Sequence, residues 1–160
     1  MWVIRAGKKG IFHDQFIKTE CVFLSWEGYH FDLRYIDSMD ACRDLVAKEK
    51  KTNNKTSISN WAGQLYAFIR SISVGDYALI PAYGSRTYSL VRITGNYEYD
   101  EAGNDQFYHF RAVRIINTDI PRSIFTQATV YSLNAYRTIF RVKNEDIVMQ
   151  AIKEWEEAIR

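Results

Sequence analysis

Residues 61–80 read WAGQLYAFIRSISVGDYALI, and the hydrophobic period changes partway through them. Trp61, Leu65, Phe68, Ile69 and Ile72 recur at three- and four-residue steps, which places them on one face of a helix. Ser57 or Ser59 stands where a helix cap belongs. Val74-Gly75-Asp76 turns the chain, and Tyr77-Ala78-Leu79-Ile80 is then an apolar run of strand length. Short strands with helices between them continue on either side. Upstream, Trp2-Val3-Ile4 reads as a strand that stops at Gly7-Lys8-Lys9-Gly10, residues 11–17 have room for one helical turn, and residues 21–26 form a buried strand. Ser38 caps a helix through Ala41, Leu45 and Val46, and the polar residues 48–56 make a surface loop. Downstream, residues 86–97 and 108–116 are strands separated by a turn at 100–104. His109, Arg111, Val113 and Ile115 share one face of the second strand, with Phe110, Ala112 and Arg114 on the other. Weaker patterns give a short helix at 123–127 and a strand at 138–142. Asn144 then caps a last helix with Val148, Ala151, Ile152, Trp155 and Ile159 along one stripe. The expected fold is α+β, a small curved β-sheet or β-barrel flanked by helices.

Composition narrows the class without naming a function. The 160 residues suit one domain, and 47% hydrophobic with 25% charged residues excludes wholesale disorder. No apolar run approaches the ~20 residues that span a bilayer. Two cysteines, Cys21 and Cys42, cannot build a disulfide framework, so a reduced, cytoplasmic setting without membrane contact is expected. Aromatics reach 15%, and the net charge is +2. Residues 145–160 hold Glu145, Asp146, Glu154, Glu156 and Glu157 against Lys153 and Arg160, so the basic excess lies upstream of them. That excess permits a polyanionic partner.

The motifs of common catalysts are missing. His13, His30 and His109 are scattered, and neither His-x-x-x-His nor Cys-x-x-Cys occurs, so no metal site is expected. No phosphate-cradling glycine loop, dinucleotide fingerprint or Gly-x-Ser-x-Gly elbow is present, and no cofactor is expected. Glu98, Asp100, Glu101 and Asp105 sit in a turn with no lysine nearby, unlike the acid-plus-lysine clusters of metal-dependent nucleases. No catalytic residue is assigned. What remains is aromatic and basic interleaving. Trp26 follows a buried strand, Trp61 opens a helix and Tyr83 lies in a Gly-Ser loop, positions from which a pocket for a planar ligand can be assembled. Each tryptophan also fits a core position, and Tyr83 is the hardest to explain that way.

Several short motifs, taken in order, resemble PUA-like domains of the EVE type. Trp2-Val3-Ile4-Arg5-Ala6-Gly7 is similar to their opening strand, and Trp61-Ala62-Gly63-Gln64-Leu65-Tyr66 to their Trp-x-Gly helix start. Val74-Gly75-Asp76-Tyr77 looks like their Gly-Asp turn, and residues 88–99, YSLVRITGNYEY, resemble the strand after the pocket loop. The order of motifs is most similar to the N-terminal modified-DNA recognition domains of modification-dependent restriction endonucleases, across roughly residues 1–142. Methylated-RNA readers of the YTH type are similar in outline. The resemblance implies a nucleic-acid-binding module that holds a flipped, modified base in an aromatic cage. By position the cage draws on Trp61 and Tyr83, with Trp26 as a third wall. This chain has Gln64-Leu65-Tyr66 where EVE domains usually carry Val-Arg-Asn, so the base-edge contact of that Asn falls to Gln64.

The expected function is recognition of a modified, in the simplest case methylated, base within a DNA restriction or defence system, with no catalysis on this chain. Phosphate contacts are expected from Arg5, Lys8, Lys9 and Arg86 and from Lys48, Lys50, Lys51 and Lys55. Residues 1–143 would form the recognition domain, and 144–160 an amphipathic helix linking it to a nuclease or motor effector supplied in cis or in trans. The rival reading is a small-molecule or peptide sensor that uses the same pocket.

Overall fold

The computed structural model describes residues 1–104 and 106–160, and Asp105, one of the turn acids above, lies outside them. The strands are β1 (Trp2–Ile4), β2 (Cys21–Phe23), β3 (Tyr77–Ala82), β4 (Thr87–Ile93), β5 (Glu98–Tyr99), β6 (His109–Pro121) and β7 (Ile139–Arg141). They form one mixed sheet in the order β2-β6-β4-β3-β1-β7, with β5 pairing β6 beside that path. β1 runs parallel to β3, and the other pairings are antiparallel. The helices are α1 (His13–Thr19), α2 (Met39–Lys50), α3 (Lys55–Tyr66), α4 (Gln127–Leu133) and α5 (Glu145–Ala158). The architecture is α+β, a curled half-barrel flanked by helices.

The central strands read as continuous apolar runs because both faces of the sheet are covered. One face carries Trp2, Ile4, Ala78, Ile80, Val91 and Ile93 into a core with Phe16, Leu65 and Phe68 from the helices. The opposite face carries Val3, Leu79 and Leu90 into a second core with Ile120, Leu133, Val148 and Ile152. The 74–76 turn is tied to β1, since Asp76 Oδ2 accepts from Trp2 Nε1 at 3.0 Å and from Ser73 N at 2.9 Å. Gly75, at φ 97°, supplies the left-handed residue that this turn needs.

Several boundaries differ from the sequence reading, each for a local reason. The strand expected over 21–26 stops at Phe23: Leu24 N makes one more bond, to His109 O at 3.0 Å, and the chain then leaves the sheet. The polar stretch 48–56 is mostly helical, with α2 reaching Lys50 and α3 starting at Lys55. Asn54 caps α3, accepting from Ser57 N at 3.0 Å, so neither Ser57 nor Ser59 is the cap. The strand expected over 86–97 breaks after Ile93, where Gly95 lies so close to Ala112 that a Cβ would meet that residue's Cβ at 3.1 Å. The helix expected at 123–127 begins instead at Gln127, with Thr126 as its cap.

Residues 67–71 form a π-helical turn at the end of α3. The buried Arg111 guanidinium takes up the Phe68 and Ile72 carbonyls there and donates to Gly95 O at 3.1 Å. Burial pushes its pKa down, and the helix-end carbonyls offset part of the charge. The stripe on α5 packs on this domain's own second core through Val148 and Ile152, while Ile159 is exposed.

Candidate functional site

Trp26 and Trp61 come together at the elbow between α2 and α3. Their rings meet edge to face, with centroids 4.8 Å apart and planes at 75°. Trp26 is held by a bond from Nε1 to Thr138 Oγ1 at 3.4 Å, and Trp61 by its place in the second turn of α3. They open onto a cleft of about 640 Å³ lined also by Glu27, Tyr29, Glu49, Lys50, Thr52 and Ser57. That volume lies within the range of small-ligand pockets.

The third aromatic wall is Tyr29, 5.9 Å from Trp26 between centroids. Sequence reasoning missed it. Gly28 and Tyr29 both take left-handed conformations, at φ 84° and 56°. For tyrosine that is an unfavourable conformation, which surrounding structure must hold. Here the Tyr29 carbonyl accepts from Phe31 N at 2.8 Å and from His109 Nε2 at 2.7 Å. His109 Nδ1 accepts in turn from the Tyr97 hydroxyl at 2.6 Å, and the Tyr97 oxygen accepts from Leu33 N at 3.1 Å. This chain of bonds fixes the neutral imidazole with its proton on Nε2. Burial lowers the His109 pKa to about 4. The Tyr29 hydroxyl is itself buried and has no hydrogen-bond partner among the described residues, and burial, then the Glu49 charge, pushes its pKa up to about 12.

The Lys50 ammonium lies over the Trp61 ring, 3.6 Å from the centroid. The lysine expected from sequence to contact phosphate therefore rests on an indole of the cleft. Lys48, Lys51 and Lys55 are exposed around the same elbow.

The other expected residues divide differently. Tyr83 is not part of the Trp26–Trp61 cleft. Its ring packs at Gly10, where a Cβ would meet it at 2.9 Å, and the Arg5 guanidinium stacks over it at 5.6 Å. Lys8, Lys9 and Arg86 are exposed on turns flanking this second group. Thr138 bridges the two groups: its carbonyl accepts from Arg5 N at 2.8 Å while its hydroxyl holds Trp26. Gln64 is turned inward. Its Oε1 accepts from Thr138 N at 2.8 Å and Ile139 N at 3.2 Å, which spends the oxygen on the start of β7 and takes it away from any base edge.

Among the described residues, no group of three or more His, Cys, Asp or Glu side chains could hold a metal ion, and no helix is long and apolar enough to cross a membrane. The model of DUF8426, a domain of unknown function, matches residues 2–143. The chain belongs to this family. The match takes in every residue of the aromatic cleft, while α5 lies beyond the matched DUF8426 span. No curated protein matches the DUF8426 chain.

Proposed function

We propose that this DUF8426 chain is a nucleic-acid-binding module of PUA-like, EVE-type descent that receives a modified base in the Trp26–Trp61 cleft. The observation that carries the reading is the pair of indoles at 75° with Tyr29 beside them, on an open cleft with lysines around it. One indole offers a face for stacking and the other an edge, so a flat ring is held on two sides. Stacking of this kind supports ~1–3 kcal/mol per base in single-strand binders, which offsets much of the few kcal/mol needed to extrude a base. Glu27 and Glu49 can accept from the exocyclic amine of cytosine or adenine. Lys48, Lys51 and Lys55 supply sequence-independent affinity for the flanking phosphates. The module carries no catalysis of its own in this reading. It serves a DNA restriction or defence system through a nuclease or motor effector, in cis or in trans.

The experiment is a titration of labelled oligonucleotides, each identical apart from one methylated base, across a series of salt concentrations. Affinity for all strands should fall steeply with salt, while preference for the modified strand persists. Binding without salt dependence and without preference would favour a neutral-ligand sensor and contradict the proposal.

A further inference from the structure

Building on that reading, we infer that the base taken by the cleft is positively charged, an adenine or cytosine alkylated on a ring nitrogen, as in 1-methyladenine or 3-methylcytosine. Three features of the cleft, and one of the base itself, converge on this assignment. The first is its present occupant. Lys50 has its ammonium 3.6 Å from the Trp61 centroid, the position that a stacked ring would claim. A lysine ammonium is strongly hydrated, and its resting on the indole marks that face as a favourable place for positive charge.

The second is the surrounding charge. Glu27 and Glu49 both line the cleft, and Lys50 is the single basic residue among its lining. A neutral ring that displaced Lys50 would leave two carboxylates facing it with no cation among them. A cationic ring replaces the charge it displaces.

The third is hydrogen bonding. Alkylation of adenine N1 or cytosine N3 leaves an exocyclic amine beside the methyl group and places positive charge on the ring. Such an edge offers the two N–H donors of that amine to Glu27 and Glu49, and these bonds are charge-assisted. The fourth is access. A ring-nitrogen methyl occupies the Watson–Crick edge, so the base is already unpaired and its extrusion costs least. Once displaced, Lys50 can pair with a flanking phosphate.

Two pairs of isomers provide the test. Oligonucleotides carrying one 1-methyladenine or one N6-methyladenine share the same heavy atoms and differ at neutral pH by one bound proton and its charge; 3-methylcytosine and 5-methylcytosine form the second pair. Binding is measured for the wild-type chain, for Lys50→Met and for the double variant Glu27→Gln, Glu49→Gln, with thermal melts of each. The wild type should bind each cationic isomer at least about tenfold more tightly than its neutral counterpart. Lys50→Met should widen that preference by removing the competing ammonium, and the double glutamine variant should largely abolish it. Equal or tighter binding of the neutral isomers overturns the inference and leaves the base-reading proposal standing. An undiminished preference in a folded double variant also overturns it. Failure of every modified strand to exceed its unmodified parent would bring down both. If the double variant does not fold, the wild-type isomer ratio decides alone.

Discussion

His109 shows how one side chain connects the sheet to the cleft. It stands in β6, yet its Nε2–H holds the carbonyl of Tyr29, the wall residue in a left-handed conformation. The imidazole is neutral in the fold, with its pKa lowered from 6.5 to about 4. Between those values the unfolded chain binds a proton that the folded chain does not. Stability therefore rises with pH across this window; the contribution is complete above pH 6.5 and is lost as pH falls toward 4. Its full size is about 3 kcal/mol. Urea unfolding at a series of pH values should show this slope, and His109→Gln should flatten its upper part, above the range where carboxylates protonate. An equally steep slope in that variant would contradict the assignment. The alternation along residues 109–115 put His109 on one face with Arg111, Val113 and Ile115 without saying which face is inward, and His109 is buried. Its hydrogen-bond partners were not legible, because Tyr29 and Tyr97 lie far from it in sequence or across a strand break. Trp26 and Trp61 were singled out from sequence as following a strand and opening a helix; Trp26 lies three residues past β2, and Trp61 in the second turn of α3. Gln64 turns inward onto β7, a direction not legible from sequence because position alone cannot tell an inward amide from an outward one.

At the scale of elements, the α2–α3 elbow positions the cleft, and it was read as loop. Lysine and asparagine at helix ends resemble loop composition, and a four-residue connection between two helices is invisible in hydrophobic periodicity. Asn54 is the residue that sets the start of α3. Asn54→Ala should destabilise the chain by about 1 kcal/mol, whereas Ser59→Ala, away from the cap, should change stability by less than about 0.5 kcal/mol in denaturant titrations. Equal losses would contradict the cap assignment. Gln64 joins α3 to β7 through two bonds to backbone N–H groups. Gln64→Leu leaves those donors unpaired and should destabilise the chain by about 1–3 kcal/mol, with faster hydrogen exchange at Thr138 and Ile139. Slow exchange at both amides in that variant would mean that the backbone finds another acceptor. The same substitution loosens the residue that anchors Trp26, so the cleft and β7 should weaken together.

Across the whole molecule, two cores sit on opposite faces of one sheet, and the candidate site belongs to the first. The helical face of Trp61, Leu65 and Phe68 and the apolar strands gave the α+β class correctly from sequence. Sheet order was not legible, since the parallel pairing of β1 with β3 depends on contacts nearly eighty residues apart. The final helix, expected to link the domain to an effector, packs its stripe on the second core. Ile152→Ala should cost about 2–5 kcal/mol of stability and leave oligonucleotide preference in the folded fraction unchanged. A variant that melts like the wild type would show that α5 does not support the sheet. We propose base recognition at the Trp26–Trp61 cleft, with Tyr83 outside it. The most direct test is the ratio of affinities for a modified and an unmodified strand, measured in the wild type, Trp61→Ala and Tyr83→Ala, with melting curves to establish folding. In folded Trp61→Ala the preference should fall by about 2 kcal/mol, while Tyr83→Ala keeps it. A folded Trp61→Ala that retains the wild-type ratio, or a loss confined to Tyr83→Ala, would contradict the account.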